Sequence, residues 1–209
     1  MSGKAPTRRT RLAPDERRAR LLAAAAAEFA SRGYDAASLR AIATGAGVTT
    51  PIVYDHFGSK AGLYAAVAQE AATSLNASWT TPQGETPEEI FRAMVESIFA
   101  WIEAFPHGWR IIFAEPPSDP AVAEVLAVGQ ADASAAIAHA LAAFSVAPPP
   151  GLDAARGHAA YAEAMKWAVN GLAAWWWEHR DVPKDTVVAV ATDVLWRGLA
   201  DLTDQKEHP

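Results

Sequence analysis

The stretch LRAIATGAGVTTPIVYDHF, from Leu39 to Phe57, leaves this chain few ways to fold. Residues 39–46 are helix formers, with Leu39, Ile42 and Ala43 recurring on one face. Gly45 and Gly47 punctuate the run, and Val48 is an apolar residue that can tuck a turn into a core. Thr49 or Thr50 can cap a second helix, a side-chain oxygen accepting from an early N–H that lacks a partner within the helix. Pro51 then falls in the first turn, where a missing N–H breaks no intrahelical bond. Helix, glycine-containing turn and capped second helix are the parts of a helix-turn-helix, which points to DNA.

Charge is distributed to match. The chain of 209 residues carries a net −6, but residues 1–62 hold ten Lys/Arg against five acids, a local +5, and the remainder carries −11. A basic segment on an acidic body suits a polyanion held at one end. With 51% hydrophobic residues the chain can bury a sizeable core. It has no cysteine, which excludes disulfides, thiolate metal sites and cysteine nucleophiles and fits a reducing, cytoplasmic setting. The start, MSGKAPTRRTRLAPDERR, is too polar for the apolar core of a signal peptide. The longest apolar runs are interrupted by charge, so no membrane span is expected.

The whole chain reads as helix, without sustained period-2 alternation. A first helix begins near Pro14 or Asp15, buries Leu22, Ala25, Ala26 and Phe29, and ends at Gly33 in the left-handed conformation. Ser38 caps the helix that follows, and Gly58-Ser59 opens another running from about Lys60 toward Leu75. Thr80 to Gly84 is a break, and Thr86-Pro-Glu-Glu89 is a capping box that starts a helix through Ile90, Met94, Ile98, Ile102 and Phe105. Pro106 ends it. Pro116, Pro117 and Pro120 bracket a turn before a long helix toward Phe144, and Pro148 to Gly151 is a linker. Two more long helices follow, from Leu152 to about Arg180 and over 184–203. The expected architecture is all-α, about nine helices. A basic arm covers 1–14, a three-helix helix-turn-helix head 15–62, and a larger ligand-binding and dimerisation body 63–209.

Residues 21–69 resemble the DNA-binding domain of TetR-family transcriptional regulators. The resemblance lies in the Ala-rich first helix ending at Gly33-Tyr34, in Ser38-Leu39-Arg40-Ala41-Ile42-Ala43, and in the turn Gly45-Ala46-Gly47-Val48. Tyr54, Phe57, Gly58-Ser59-Lys60 and Leu63 complete it, and Leu195-Trp196-Arg197-Gly198-Leu199 is a further, weaker likeness. The resemblance implies a homodimer of all-helical subunits joined through the last two helices, each with a DNA-binding head and a body that takes a small molecule. The usual function is repression of a palindromic operator in double-stranded DNA, relieved when the effector changes the spacing of the heads. No cofactor is implied.

Carried onto this sequence, the recognition helix spans Thr49 to His56. Thr50, Pro51 and Ile52 are expected at base edges, the last two through apolar contact. Tyr54 is placed for a phosphate, His56 for a phosphate or a base, and Lys60 and Ser38 for phosphates. Val53 and Phe57 belong to the core of the head. Position 50 is often basic in the family and is Thr here. Asp55 repels phosphate but can accept from cytosine N4; it either reads a cytosine or caps or pairs with a nearby cation. Lys4, Arg8, Arg9 and Arg11 form an arm that either enters the minor groove or is a solubilising tail.

All eight tryptophans follow residue 78. Met94, Ile98, Trp101, Trp109 and Phe113, with Tyr161, Met165 and Trp176, are the expected lining of an apolar cavity, and Asn170 its ligand-orienting polar group. On the penultimate helix the face of Tyr161, Met165, Ala168, Leu172 and Trp176 is assigned to the cavity, and that of Trp167, Gly171, Ala174 and Glu178 to the dimer. Lys166, Glu103 and Glu96 are expected in water. Asp132 and His139 share a helix face, but two ligands make a poor metal site. No catalytic constellation stands out, so an enzyme with a vestigial head is disfavoured. The other alternative is a regulator controlled by a protein partner or by no effector.

Overall fold

The computed structural model describes residues 13–78, 84–113 and 118–203. Lys4, Arg8, Arg9, Arg11, Trp79, Pro116 and Pro117, and most of the expected break at 80–84, lie outside the described residues. Those described form nine α-helices and no strand: α1 (Pro14–Ala36), α2 (Leu39–Ala46), α3 (Thr50–Phe57), α4 (Lys60–Ser78), α5 (Pro87–Ala104), α6 (Pro106–Ile112), α7 (Pro120–Ala143), α8 (Ala154–Glu178) and α9 (Lys184–Thr203). The fold is all-α. It divides into two compact units after Val67, inside α4.

In the first unit α1 packs on α2 and α2 on α3. Leu21, Ala25, Phe29, Ile42, Val53 and Leu63 are buried there. Gly33 interrupts α1 with φ +73 and ψ 171, a region open to glycine alone; the left-handed ending expected at this position is replaced by a kink, and one more turn reaches Ala36. Gly47 is the left-handed residue. At φ +69 and ψ 30 it ends α2, and the Val48 N–H closes the turn on the Ala43 carbonyl at 2.9 Å. Tyr64 sits edge-on to Phe29 and Tyr34, with ring centroids 4.9 and 5.4 Å away.

Burial pushes the Tyr64 phenol up from 10.0 to about 12. Because the folded value exceeds the unfolded one, the stability difference is fully present below pH 10 and disappears as pH rises through 12. The difference corresponds to about 2–3 kcal/mol. Tyrosinate absorbance and amide exchange of the first unit, followed from about pH 9 to about pH 13 (~1 unit either side of the window), are expected to show unfolding in that range. Tyr64→Phe is expected to flatten the dependence.

The second unit is stapled at its helix starts. Thr86 and Glu89 form the reciprocal capping box of α5, and the two backbone N–H groups that Glu89 accepts hold its carboxyl below the usual range. Asp119 and Asp153 cap α7 and α8 by accepting from Ala121 and Arg156 N–H groups. Pro106, expected to end one helix, also starts α6 directly after Phe105. α7 packs along α8 and α5 along α9, around a core containing Phe99, Ile102, Trp176 and Val187.

α8 is turned from the face expected of it. Ala162, Lys166, Asn170, Ala173 and Trp176 point inward, whereas Ala168 is exposed. The apolar pattern counted Lys166 as a solvent residue; its amine instead finds acceptors inside the protein. Trp167, Gly171, Ala174 and Glu178 are exposed. α7, with a mean hydropathy of 1.3 over its most apolar window, is the one described helix long and apolar enough to cross a membrane. Here it forms one wall of a cavity.

Candidate nucleic-acid interface and cavity

α3 presents a polar and an apolar side. Val53 is buried and Phe57 half-buried, whereas Thr49, Pro51, Tyr54, Asp55 and His56 are exposed and Thr50 and Ile52 lie at the margin. Thr49 occupies the N-cap position in extended backbone, yet its hydroxyl makes no cap bond. The hydroxyl is thus open to an outside acceptor or donor. Tyr54 is 50% exposed, large for an aromatic on a short helix.

Among the described residues Asp55 has no cation or cap partner. Two other head acids are paired: Glu16 with Arg20 at 2.9 Å, and Glu28 with Arg32 at 3.4 Å. Glu28 also accepts the Ser38 N–H at 3.1 Å. Ser38 is exposed; its Oγ accepts from Ala41 N–H as the α2 cap, which leaves its hydroxyl proton to donate to a phosphate.

Lys60 is half-buried rather than free. Its Nζ donates to the Asp35 carbonyl at 3.1 Å and lies 4.8 Å from the Tyr34 ring centroid. Ser59 accepts from Gly62 N–H at 2.9 Å and so opens α4 beside it.

Inside the second unit lies a cavity of about 780 Å³, walled by α4 to α9. Met94, Ile98 and Trp101 of α5, Trp109 of α6 and Phe113 just past its end, and Met165 and Asn170 of α8 line it. Tyr161 and Trp176, expected there from helical phase, do not. Tyr161 is partly buried against the core, and Trp176 is buried, donating to the Val182 carbonyl at 2.9 Å and set edge-on to Phe99. Both pack with the core of the second unit and not along the open space.

Asn170 is spoken for. Its Oδ1 accepts from Trp109 Nε1 at 3.0 Å and its Nδ2 donates to the Lys166 carbonyl at 2.9 Å, so it orients the Trp109 indole rather than standing free. Trp101 is fixed likewise, by donating to Ser74 Oγ at 3.1 Å. These bonds preform one apolar wall. Among the lining residues that sequence reasoning missed are Gln69 and Asn76 on α4, the α7 face of Val125, Val128 and Ala133, and Lys166. The spacing of Lys166 and Asn170 was their only visible signal; α7 is so rich in alanine that no face stands out. Asp132 is at the cavity margin, and no group of three or more metal-ligating side chains occurs among the described residues. Glu103, expected in water, reaches Lys184 at 3.2 Å.

Comparisons with known proteins agree with this division. Residues 21–67 match the family described as bacterial regulatory proteins, tetR family. The chain is 33% identical over 196 residues to the HTH-type transcriptional activator FasR of Mycolicibacterium smegmatis, covering 92% of this chain and 87% of that one. Its fold is that of a TetR-like transcriptional regulator from Rhodococcus sp. RHA1, with a TM-score of 0.71 at 23% identity over 91% of this chain and 99% of the other. The fatty acid degradation regulator FadR from Bacillus halodurans shares it with a TM-score of 0.68 at 16% identity, over 85% and 96%.

Proposed function

The chain belongs to the tetR family of bacterial regulatory proteins and is a DNA-binding transcriptional regulator; we propose that an apolar small molecule in the 780 Å³ cavity controls its hold on an operator. The cavity carries this reading. Two of its indoles are held by hydrogen bonds, so one apolar wall stands preformed around the open space. α4 supports it further, because one unbroken helix bears both Lys60 and the lining residues Ala72 and Leu75.

At the operator, Thr50, Pro51 and Ile52 meet base edges, and Thr49, Tyr54, His56, Lys60 and Ser38 hold phosphates or neighbouring groups. Asp55, exposed and without a partner among the described residues, accepts from cytosine N4. Two chains bind together, joined through α8 and α9, whose outward stripes carry Trp167, Gly171 and Trp175 and, on the second helix, Val190, Val194 and Gly198. Small residues between large ones at fourfold spacing suit close helix packing. Release by ligand is the expected response. For the sign of regulation, activation is a second reading beside repression, favoured by the FasR relative being an activator.

The test is selection of bound sequences from random duplex DNA, followed by titration of a selected operator with neutral and charged apolar compounds. The expected result is a palindromic site and at least one compound that binds once per chain and weakens operator binding about tenfold or more. Failure of every compound to alter operator affinity would overturn ligand control. Run-off transcription with the operator placed upstream of a promoter separates activation from repression.

A further inference from the structure

One wall of the cavity breaks the apolar pattern. Lys166 lines it at 6% exposure. Its Nζ donates to Ser134 Oγ at 2.7 Å and Glu163 Oε1 at 2.9 Å, with a longer contact of 3.4 Å to the Gln130 carbonyl. The two charges of this pair differ in their freedom. The ammonium is enclosed, whereas the Glu163 side chain is 51% exposed and can turn into water. Glu163 also accepts from Ser134 Oγ and, through its other oxygen, from the exposed Trp167 Nε1 at 3.2 Å.

An enclosed cation needs a compensating anion, but nothing requires that anion to be Glu163. Any oxyanion brought into the cavity by an apolar molecule meets the lysine in a medium of low dielectric, where charge pairs are strong. The exchanged Glu163 regains hydration outside. Two acids, Glu124 and Asp132, also border the cavity, but both stand exposed on α7, where water screens them. They oppose an anion far less than the enclosed ammonium attracts it. The acidity of the body as a whole, which suggests cationic or neutral ligands, is therefore a poor guide to the wall the ligand touches.

We propose that the cavity takes an amphiphile bearing one oxyanion, a carboxylate, sulfonate or phosphate group, which seats on Lys166 in place of Glu163 while its apolar part fills the space among Met94, Ile98 and Trp109. This rests on the reading of the cavity as the ligand site and names the class of ligand. The exchange also leaves Trp167 without its acceptor, so the event inside the cavity reaches the outward stripe of α8.

Two dyes that differ by one group test the proposal on the full chain: 8-anilinonaphthalene-1-sulfonate and its uncharged parent, N-phenyl-1-naphthylamine. Fluorescence titration is expected to give one site per chain for both. Lys166→Met is expected to weaken the sulfonate about tenfold or more and to leave the parent within about twofold, while Lys166→Arg keeps the sulfonate bound. Glu163→Gln, which removes the competing anion and keeps the side-chain shape, is expected to tighten the sulfonate several-fold. Should Lys166→Met fail to fold, the Glu163→Gln comparison decides alone. Equal effects of Lys166→Met on both dyes, or no change with Glu163→Gln, would overturn the oxyanion site. If the parent dye binds once per chain and weakens operator binding while the sulfonate is indifferent to both substitutions, ligand control stands and this inference falls. If neither dye binds, the oxyanion site falls, and ligand control is decided by the operator titration.

Discussion

Chains carrying Val194→Asp are expected to sediment as monomers and to bind operator DNA about 100-fold more weakly than the unaltered protein. Val194 is 64% exposed, the most open of the large apolar side chains described, and lies four residues from Val190, itself 47% exposed. On α8, Trp167 and Trp175 stand out at 56% and 45%. In a twofold dimer each substitution enters the interface twice, so one aspartate per chain places two unpaired carboxylates in an apolar seam. Each loses hydration without gaining a partner, a cost of several kcal/mol. The effect on DNA is compound, because two recognition helices no longer arrive as one unit at half-sites a turn apart. Sedimentation velocity gives the mass and fluorescence anisotropy the affinity. A variant that stays dimeric would remove α9 from the interface; a monomer with full operator affinity would remove the need for a dimer.

The second large effect separates two neighbours on α5. Phe99 is fully buried in the core beside Trp176, whereas Ile98 faces the cavity. Phe99→Ala leaves a void closed on all sides and is expected to cost the second unit about 3–5 kcal/mol. Ile98→Ala removes atoms that already border empty space, so its cost is expected near 1 kcal/mol. It enlarges the room for ligand instead. Urea unfolding followed by tryptophan fluorescence measures this cleanly, since every tryptophan follows residue 78 and the first unit contributes no signal. Similar losses at both positions would mean that the cavity collapses when the ligand is absent.

The contrast between Phe99 and Ile98 also marks how far the sequence could be read. Punctuation was legible: Pro14, Pro87 and Pro120 open helices, Gly47 closes α2, and Thr86 with Glu89 forms the capping box of α5. These signals are local, set by backbone sterics and by hydrogen bonds across three or four residues. Rotation of a helix about its own axis is not local. On α8 the expected inward face held Tyr161 and Trp176, yet Lys166 and Asn170 lie inward and Tyr161 and Trp176 leave the cavity lining. Apolar periodicity treats a lysine as outward, and only partners on another helix, here Ser134 and the Gln130 carbonyl of α7, reverse that. On α7 the difficulty is the opposite one. Its alanines are apolar on every side, so the cavity face of Val125, Val128 and Ala133 has no contrast to reveal it.

Lys60 has a consequence for the thermodynamics of DNA recognition. A free lysine loses up to about 2 kcal/mol of rotamer entropy when a phosphate immobilises it. Here the side chain already donates to the Asp35 carbonyl and lies over the Tyr34 ring before any DNA arrives. Much of its freedom is therefore lost during folding of the head, and an ammonium with two remaining N–H donors is held in place for a phosphate. Calorimetry of operator binding should show this as a smaller entropic penalty in the wild type than in Tyr34→Ala, whose lysine has less to rest on.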